Sequence, residues 1–225
     1  MESFRLPDLT PAEIDAGLTV EGFEHVQEAR SRGVGPILAL PHLGGWEWAA
    51  FWLATTPRYK VTAVAEPIEP PELFEWFVSF REALGMSIVP LGAAAGAAVV
   101  RAIRDLHVTC LLCDRHVGGS GVEVDFFGEQ TTLPAGPATL ALRTGASLLP
   151  AAVYFDGKGH RGVVRPPVPT ERSGGRLRDD VTRITQSLTT ELEGLIRRAP
   201  EQWHLMQPNW PSDHLEPAGR RQAVR

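Results

Sequence analysis

The chain has 225 residues, 43% of them hydrophobic and 22% charged, with a formal charge of −5. That length supports a substantial buried core, and an acidic balance without a long basic block argues against a nucleic-acid partner. No stretch reaches the ~18 uninterrupted apolar residues of a membrane span, and the first residues lack a basic region followed by an apolar one, so neither a membrane-spanning helix nor a signal peptide is expected.

From the N-terminus, short apolar runs alternate with helical stretches. The first strand is "PILAL" at 36–40, followed by a helix near 45–56, "KVTAVA" at 60–65 and a helix near 71–84. Next come "SIVPL" at 87–91, a helix near 95–105 and "VTCLLC" at 108–113. "DFFGE" presents two aromatics on a glycine-containing loop, and Pro134-Ala-Gly-Pro137 starts a helix near 136–145, with Pro137 near its first turn. "SLLPAAVYF" at 147–155 and "GVVRPPV" at 162–168 are the last strands, and a polar loop leads to a helix near 177–198. Near-continuous apolar strands separated by helices predict an α/β fold, a mostly parallel central sheet flanked by helices on both faces. One domain over 1–225 is the simplest organisation, with 211–225 expected to be a frayed tail. The two cysteines, Cys110 and Cys113, share one strand run. Their spacing places them on opposite faces, which suits neither a disulfide nor a metal clip and fits a reduced, cytoplasmic chain.

In such sheets ligands collect at the carboxyl ends of the strands. His42 directly follows the run 36–40, and Asp114 directly follows 108–113. In "PHLGGWEWAA", His42 and Glu47 are five residues apart. Within one straight helix that separation turns roughly 140° out of register, which excludes the i, i+4 zinc pair of an H-E-x-x-H site. The spacing works if Gly44 and Gly45 make a turn, with His42 before the helix and Glu47 in its first turn, near the positive dipole end. A carboxylate on one ring nitrogen fixes the tautomer and makes the other a general base toward a hydroxyl. The same spacing also suits a capping histidine with a first-turn Glu. Asp114 is a second carboxylate candidate or a turn residue, and Arg81, in a last helical turn, by itself reads as a surface residue matched to the dipole. Trp48 and Trp52 share a helical face that suits core packing, whereas Trp46 projects elsewhere. His107, His116, His160, His204 and His214 lack a carboxylate at informative spacing and read as surface or structural.

Four segments carry a resemblance: "LPHLGGWEWA", "FVSFREALGMSIVPL", "LLCDRHVGGSGVEVDFFGEQTTLPAGPATLALRTGASLLP" and "WHLMQPNW". In order and rough spacing they resemble the bacterial lipid A biosynthesis acyltransferase family, nearest to its actinobacterial branch acting on phosphatidylinositol mannosides. The resemblance runs from about residue 3 to about 210. It implies that His42 takes the proton from an acceptor hydroxyl, that Glu47 is the acidic member of an H-x4-D/E motif, and that Asp114 partners the histidine. It also implies substrate-binding roles for Arg81, Arg115 and Glu123. No metal and no resident cofactor are implied; acyl-CoA, such as palmitoyl-CoA, is the expected co-substrate. The expected acceptor is a sugar hydroxyl of a membrane glycolipid, and the expected location is peripheral, on the cytoplasmic face of the plasma membrane. The chain begins well inside the family's pattern, so a preceding segment rich in amphipathic helices is expected to be missing from it. Asp114 and Glu47 stand where the nearest members prefer Glu and Asp. An acyl-CoA thioesterase using water, and a non-catalytic lipid-binding homologue, are the competing readings.

Overall fold

The computed structural model describes residues 3–118 and 121–214; most of the expected tail, 215–225, lies outside the described residues. In chain order its elements are α1 (Pro11–Ala16), β1 (Leu18–Glu21), α2 (Phe23–Ser31), β2 (Ile37–Leu40), α3 (Trp46–Thr55), β3 (Val61–Ala65), α4 (Pro71–Ala83), β4 (Met86–Pro90) and α5 (Ala95–Arg104). They continue with β5 (Val108–Leu112), β6 (Gly121–Phe126), β7 (Glu129–Pro134), α6 (Gly136–Thr144), β8 (Leu148–Asp156), β9 (Gly159–Val164) and α7 (Leu177–Ile196).

Seven strands form one sheet in the order β1-β9-β8-β2-β5-β3-β4. From β8 to β4 every neighbouring pair is parallel, and β9 alone pairs antiparallel, with β8. β2 shows why helices must cover both faces. Its side chains alternate between two cores, Ile37 and Ala39 on one side, Leu38 and Leu40 on the other, and all four are buried. α1, α2 and α3 close the second core, and α5, α6 and α7 close the first. Cys110 and Cys113 divide between the same two cores as free thiols. Burial pushes the Cys110 thiol up to about 12 and the Cys113 thiol higher still. α4 has no fully buried side chain; it packs against the edge strand β4.

Three regions differ from expectation. The last strand lies at 159–164 rather than 162–168, ending before Pro166 and Pro167, which have no N–H for a ladder. α1, β1 and α2, absent from the expected pattern, form a short N-terminal unit, its first helix started by a Thr10–Glu13 capping box. The expected "DFFGE" loop is instead a hairpin, β6–β7, whose last pair is Phe126 with Glu129. The intervening Phe127 and Gly128 both have positive φ, 57° and 87°, as a type I′ turn requires. Phe126 is fully buried at that turn, and the hairpin is tied to α7 by two hydrogen bonds between Asp125 and Gln186.

At the start of α7 the Asp180 carboxylate has no exposed surface. It accepts hydrogen bonds from Ser173 N–H (3.0 Å), Arg172 Nε (2.7 Å) and Arg183 Nη2 (3.2 Å). The bonds from Ser173, then those from the two arginines, hold the carboxyl well below the usual range. A depressed carboxyl contributes stability above the unfolded-chain value of about 3.9, and that stability is lost as pH falls below it. Asp180→Asn is therefore expected to lower the urea midpoint at pH 7, with the gap from wild type narrowing as the pH is taken from 5 to 3.

Candidate active site

β2 and β5 are adjacent and parallel, with Leu40 opposite Leu112. The pairing continues one step past the strands, where Leu40 C=O accepts the Cys113 N–H at 2.8 Å. Two residues beyond the Leu40–Leu112 pair stand His42 and Asp114, so strand register alone brings them face to face. His42 Nδ1 lies 2.6 Å from Asp114 Oδ1, and the His42 backbone N–H donates to Asp114 Oδ2 at 2.9 Å. The Asp114 side chain is completely buried, whereas the His42 side chain is 26% exposed. An ionised carboxylate only accepts, so Nδ1 carries a proton, and in the neutral imidazole the lone pair is then on Nε2. Nε2 has no hydrogen-bond partner among the described residues.

The turn after His42 depends on Gly44. Its φ is +58°, its N–H donates to Gln202 C=O at 3.0 Å, and a Cβ there would overlap the Val153 carbonyl. α3 then begins at Trp46, which places Glu47 in its first turn. Glu47 does not meet the histidine: its Oε1 accepts from Arg81 Nε at 2.9 Å and from Nη2 at 2.7 Å. The sequence left two carboxylates open as the partner of His42; in the structure Asp114 holds the imidazole and Glu47 holds the guanidinium. Arg81 sits 5.4 Å from the ring centroids of both Trp46 and Phe77, within cation–π range.

Two clefts meet at His42, sharing Val64, Glu66 and Leu112. One, about 300 Å³, is walled by Trp46, Phe74, Phe77 and Arg81. The other, about 500 Å³, runs between α5 and α6 past Leu91, Val99, Leu111 and Leu140, with Arg115 and Arg143 along it. Arg115 is paired with Glu66 at 2.6 Å. Glu123 is placed apart from these: it lies on β6 and lines a third cleft with His116 and Trp210. Trp46 faces the aromatic cleft, while Trp48 and Trp52 send their indole N–H groups to Ile14 C=O and Asp15 in α1.

Residue-type reasoning passed over two contributors. Trp203 Nε1 donates to Asp114 Oδ2 at 2.7 Å, and Asn209 Nδ2 donates to the Asp114 carbonyl at 3.0 Å. The His204 backbone N–H donates to His42 C=O at 2.7 Å, which gives that histidine a structural place through its main chain. The only signal for this tail was the segment "WHLMQPNW" itself. No periodicity or spacing links it to residues ninety positions earlier.

A family model for bacterial lipid A biosynthesis acyltransferases matches residues 1–212. A protein named phosphatidylinositol mannoside acyltransferase from Mycobacterium tuberculosis is 38% identical over 229 residues, an alignment covering 100% of this chain and 70% of the relative. A protein of the same name from Mycolicibacterium smegmatis is 39% identical over 215 residues, covering 94% and 68% respectively.

Gly44→Ala tests the turn. It forces a side chain into positive φ and against the Val153 carbonyl, so a stability loss of about 1–3 kcal/mol is expected in urea unfolding. Gly128→Ala, also at positive φ but with open space beside it, is expected to cost less.

Proposed function

Because this chain belongs to the bacterial lipid A biosynthesis acyltransferase family, we propose that it moves a fatty acyl chain from acyl-CoA to a sugar hydroxyl of a membrane glycolipid, a phosphatidylinositol mannoside. Family membership makes it an acyltransferase; the donor, the acceptor and the roles below are the proposal. The observation that carries it is the His42–Asp114 pair at the junction of two clefts. A two-substrate transfer needs two approaches to one base.

In this reading the acceptor hydroxyl docks at His42 Nε2 and gives up its proton as its oxygen attacks the thioester carbonyl carbon. Asp114, bonded to Nδ1, stabilises the imidazolium that forms. The tetrahedral intermediate collapses by breaking the C–S bond, and the departing CoA sulfur takes the proton from Nε2. The thioester is already activated, so no covalent enzyme intermediate is needed. The oxyanion requires donors. Within residues 43–46 the N–H groups of Leu43 and Gly44 are engaged by Pro41 C=O and Gln202 C=O, which leaves those of Gly45 and Trp46 at the head of α3. Arg115 and Arg143, along the larger, mostly apolar cleft, suit the phosphates of an acyl-CoA whose chain enters beside them.

The glycolipid presents its sugar from a bilayer, so the protein works as a peripheral enzyme on the cytoplasmic face of the plasma membrane. Exposed Leu73 and Trp76 on α4, with Phe4 against Trp76 and Ile68 at the aromatic cleft, support contact with a bilayer surface. Among the described residues no helix is long and apolar enough to cross a membrane.

General-base catalysis contributes roughly 10²–10⁴ in rate. His42→Ala is expected to lose acyl transfer by about that factor, measured with labelled palmitoyl-CoA and a panel of glycolipid acceptors, while its circular dichroism matches wild type. Near-normal transfer by that variant would remove His42 from the reaction. Release of free fatty acid at equal rates with and without acceptor would reassign the enzyme to thioester hydrolysis.

A further inference from the structure

Asp114 is held from a side that neither its own strand nor His42 supplies. Oδ1 is taken by His42 Nδ1, and Oδ2 accepts two donors, the His42 backbone N–H and the Trp203 indole N–H. The carboxylate has no exposed surface, so water cannot replace a donor that is lost, and its orientation is set by these three bonds. The indole is itself fixed. Phe126 and Phe127 pack against it at ring-centroid distances of 5.9 and 5.6 Å. On the main-chain side Leu43 pairs with Trp203 in a β-bridge, and the flanking residues Gln202 and His204 bond to Gly44 and His42. The segment carrying the indole is therefore registered directly on the segment carrying the base.

We propose that Trp203 is a positioning residue of the acyl-transfer site, its indole N–H fixing the Asp114 carboxylate so that His42 Nε2 is aimed at the acceptor hydroxyl. The proposal rests on the reading of His42 as general base. Trp203 touches no substrate. It acts by holding Asp114 in the plane that bonds Nδ1 and by drawing off part of the charge that the imidazolium faces. Without the N–H, the carboxylate is free to turn about its Cβ–Cγ bond, and its charge is less dispersed. A less dispersed carboxylate holds the imidazolium proton more tightly. The loss therefore has two signatures: slower turnover, and an acidic limb of the pH–rate profile moved to higher pH.

Trp210 supplies a matched control. It lies in the same aromatic cluster, stacked on Phe126 at 5.5 Å, and its indole N–H donates to the Phe126 carbonyl rather than to Asp114. Trp203→Phe and Trp210→Phe each remove one indole from that cluster, but only the first removes a donor from Asp114. Both variants, wild type and His42→Ala are compared in the palmitoyl-CoA assay, with kcat and KM measured across pH 5–9 and Tm recorded for each. Trp203→Phe is expected to lower kcat about tenfold with KM little changed, and to move the acidic limb to higher pH. Trp210→Phe is expected to lose a comparable amount of Tm with kcat and pH profile near wild type. Trp203→His, which restores a ring N–H, is expected to recover part of the kcat. If Trp203→Phe keeps wild-type kcat and pH profile while His42→Ala is inactive, the positioning role is overturned and the base assignment stands. If both tryptophan variants fall equally in kcat without a shift of the limb, the indole serves packing alone and the inference also fails. An active His42→Ala would instead overturn the base assignment beneath it.

Discussion

A carboxyl group sealed from solvent must be met by donors on every side, and the site is organised around satisfying that demand at Asp114. The group is fully buried and its bonds come from two separate parts of the chain. β2 delivers the imidazole and a main-chain N–H, and the segment after α7 delivers an indole; Asn209 meets the carbonyl of the same residue. Leaving a buried oxygen without its donor costs more than the bond itself contributes. The two loops and the C-terminal segment are thus held in mutual position by the same group that orients the base, and fold and chemistry share one fastening.

The meeting of His42 with Asp114 follows from strand order. Sequence reading placed both residues at the carboxyl ends of buried runs, which is correct for each strand separately. It could not choose between Asp114 and Glu47, because the choice depends on β5 returning to lie between β2 and β3. Once it does, the Leu40–Leu112 register leaves no freedom about which carboxylate lies opposite the imidazole. Glu47, at the shorter sequence separation, is carried away by the turn at Gly44 and meets Arg81 instead.

Local pattern explains the other differences too. The strands buried on both faces and the longer helices were legible because periodicity and Gly/Pro punctuation are local signals. β6–β7 escaped notice because its turn uses Phe-Gly rather than Asn-Gly, although Val122, Val124 and Phe126 alternate as a strand should. Phe127 accepts positive φ because the hairpin places its ring against Phe126 and Trp203. Trp203 and Asn209 carried no spacing signal at all. Their partner lies 89 and 95 positions away, and a tryptophan in a polar tail looks like any packing residue until the donor's target is known.

The thiol adjoining Asp114 bears on how cleanly the acyl group travels. Cys113 is one residue from the dyad, and an ionised sulfur so near a thioester would exchange with it and carry the acyl chain as a dead-end adduct. Instead its side chain turns into the core packed by α5, α6 and α7, with Sγ directed at the Leu111 carbonyl at 3.1 Å. Burial keeps that sulfur protonated at any physiological pH. Alternation along β5, which sends Cys113 inward and Asp114 toward the imidazole, also protects the donor from capture by the protein's own sulfur.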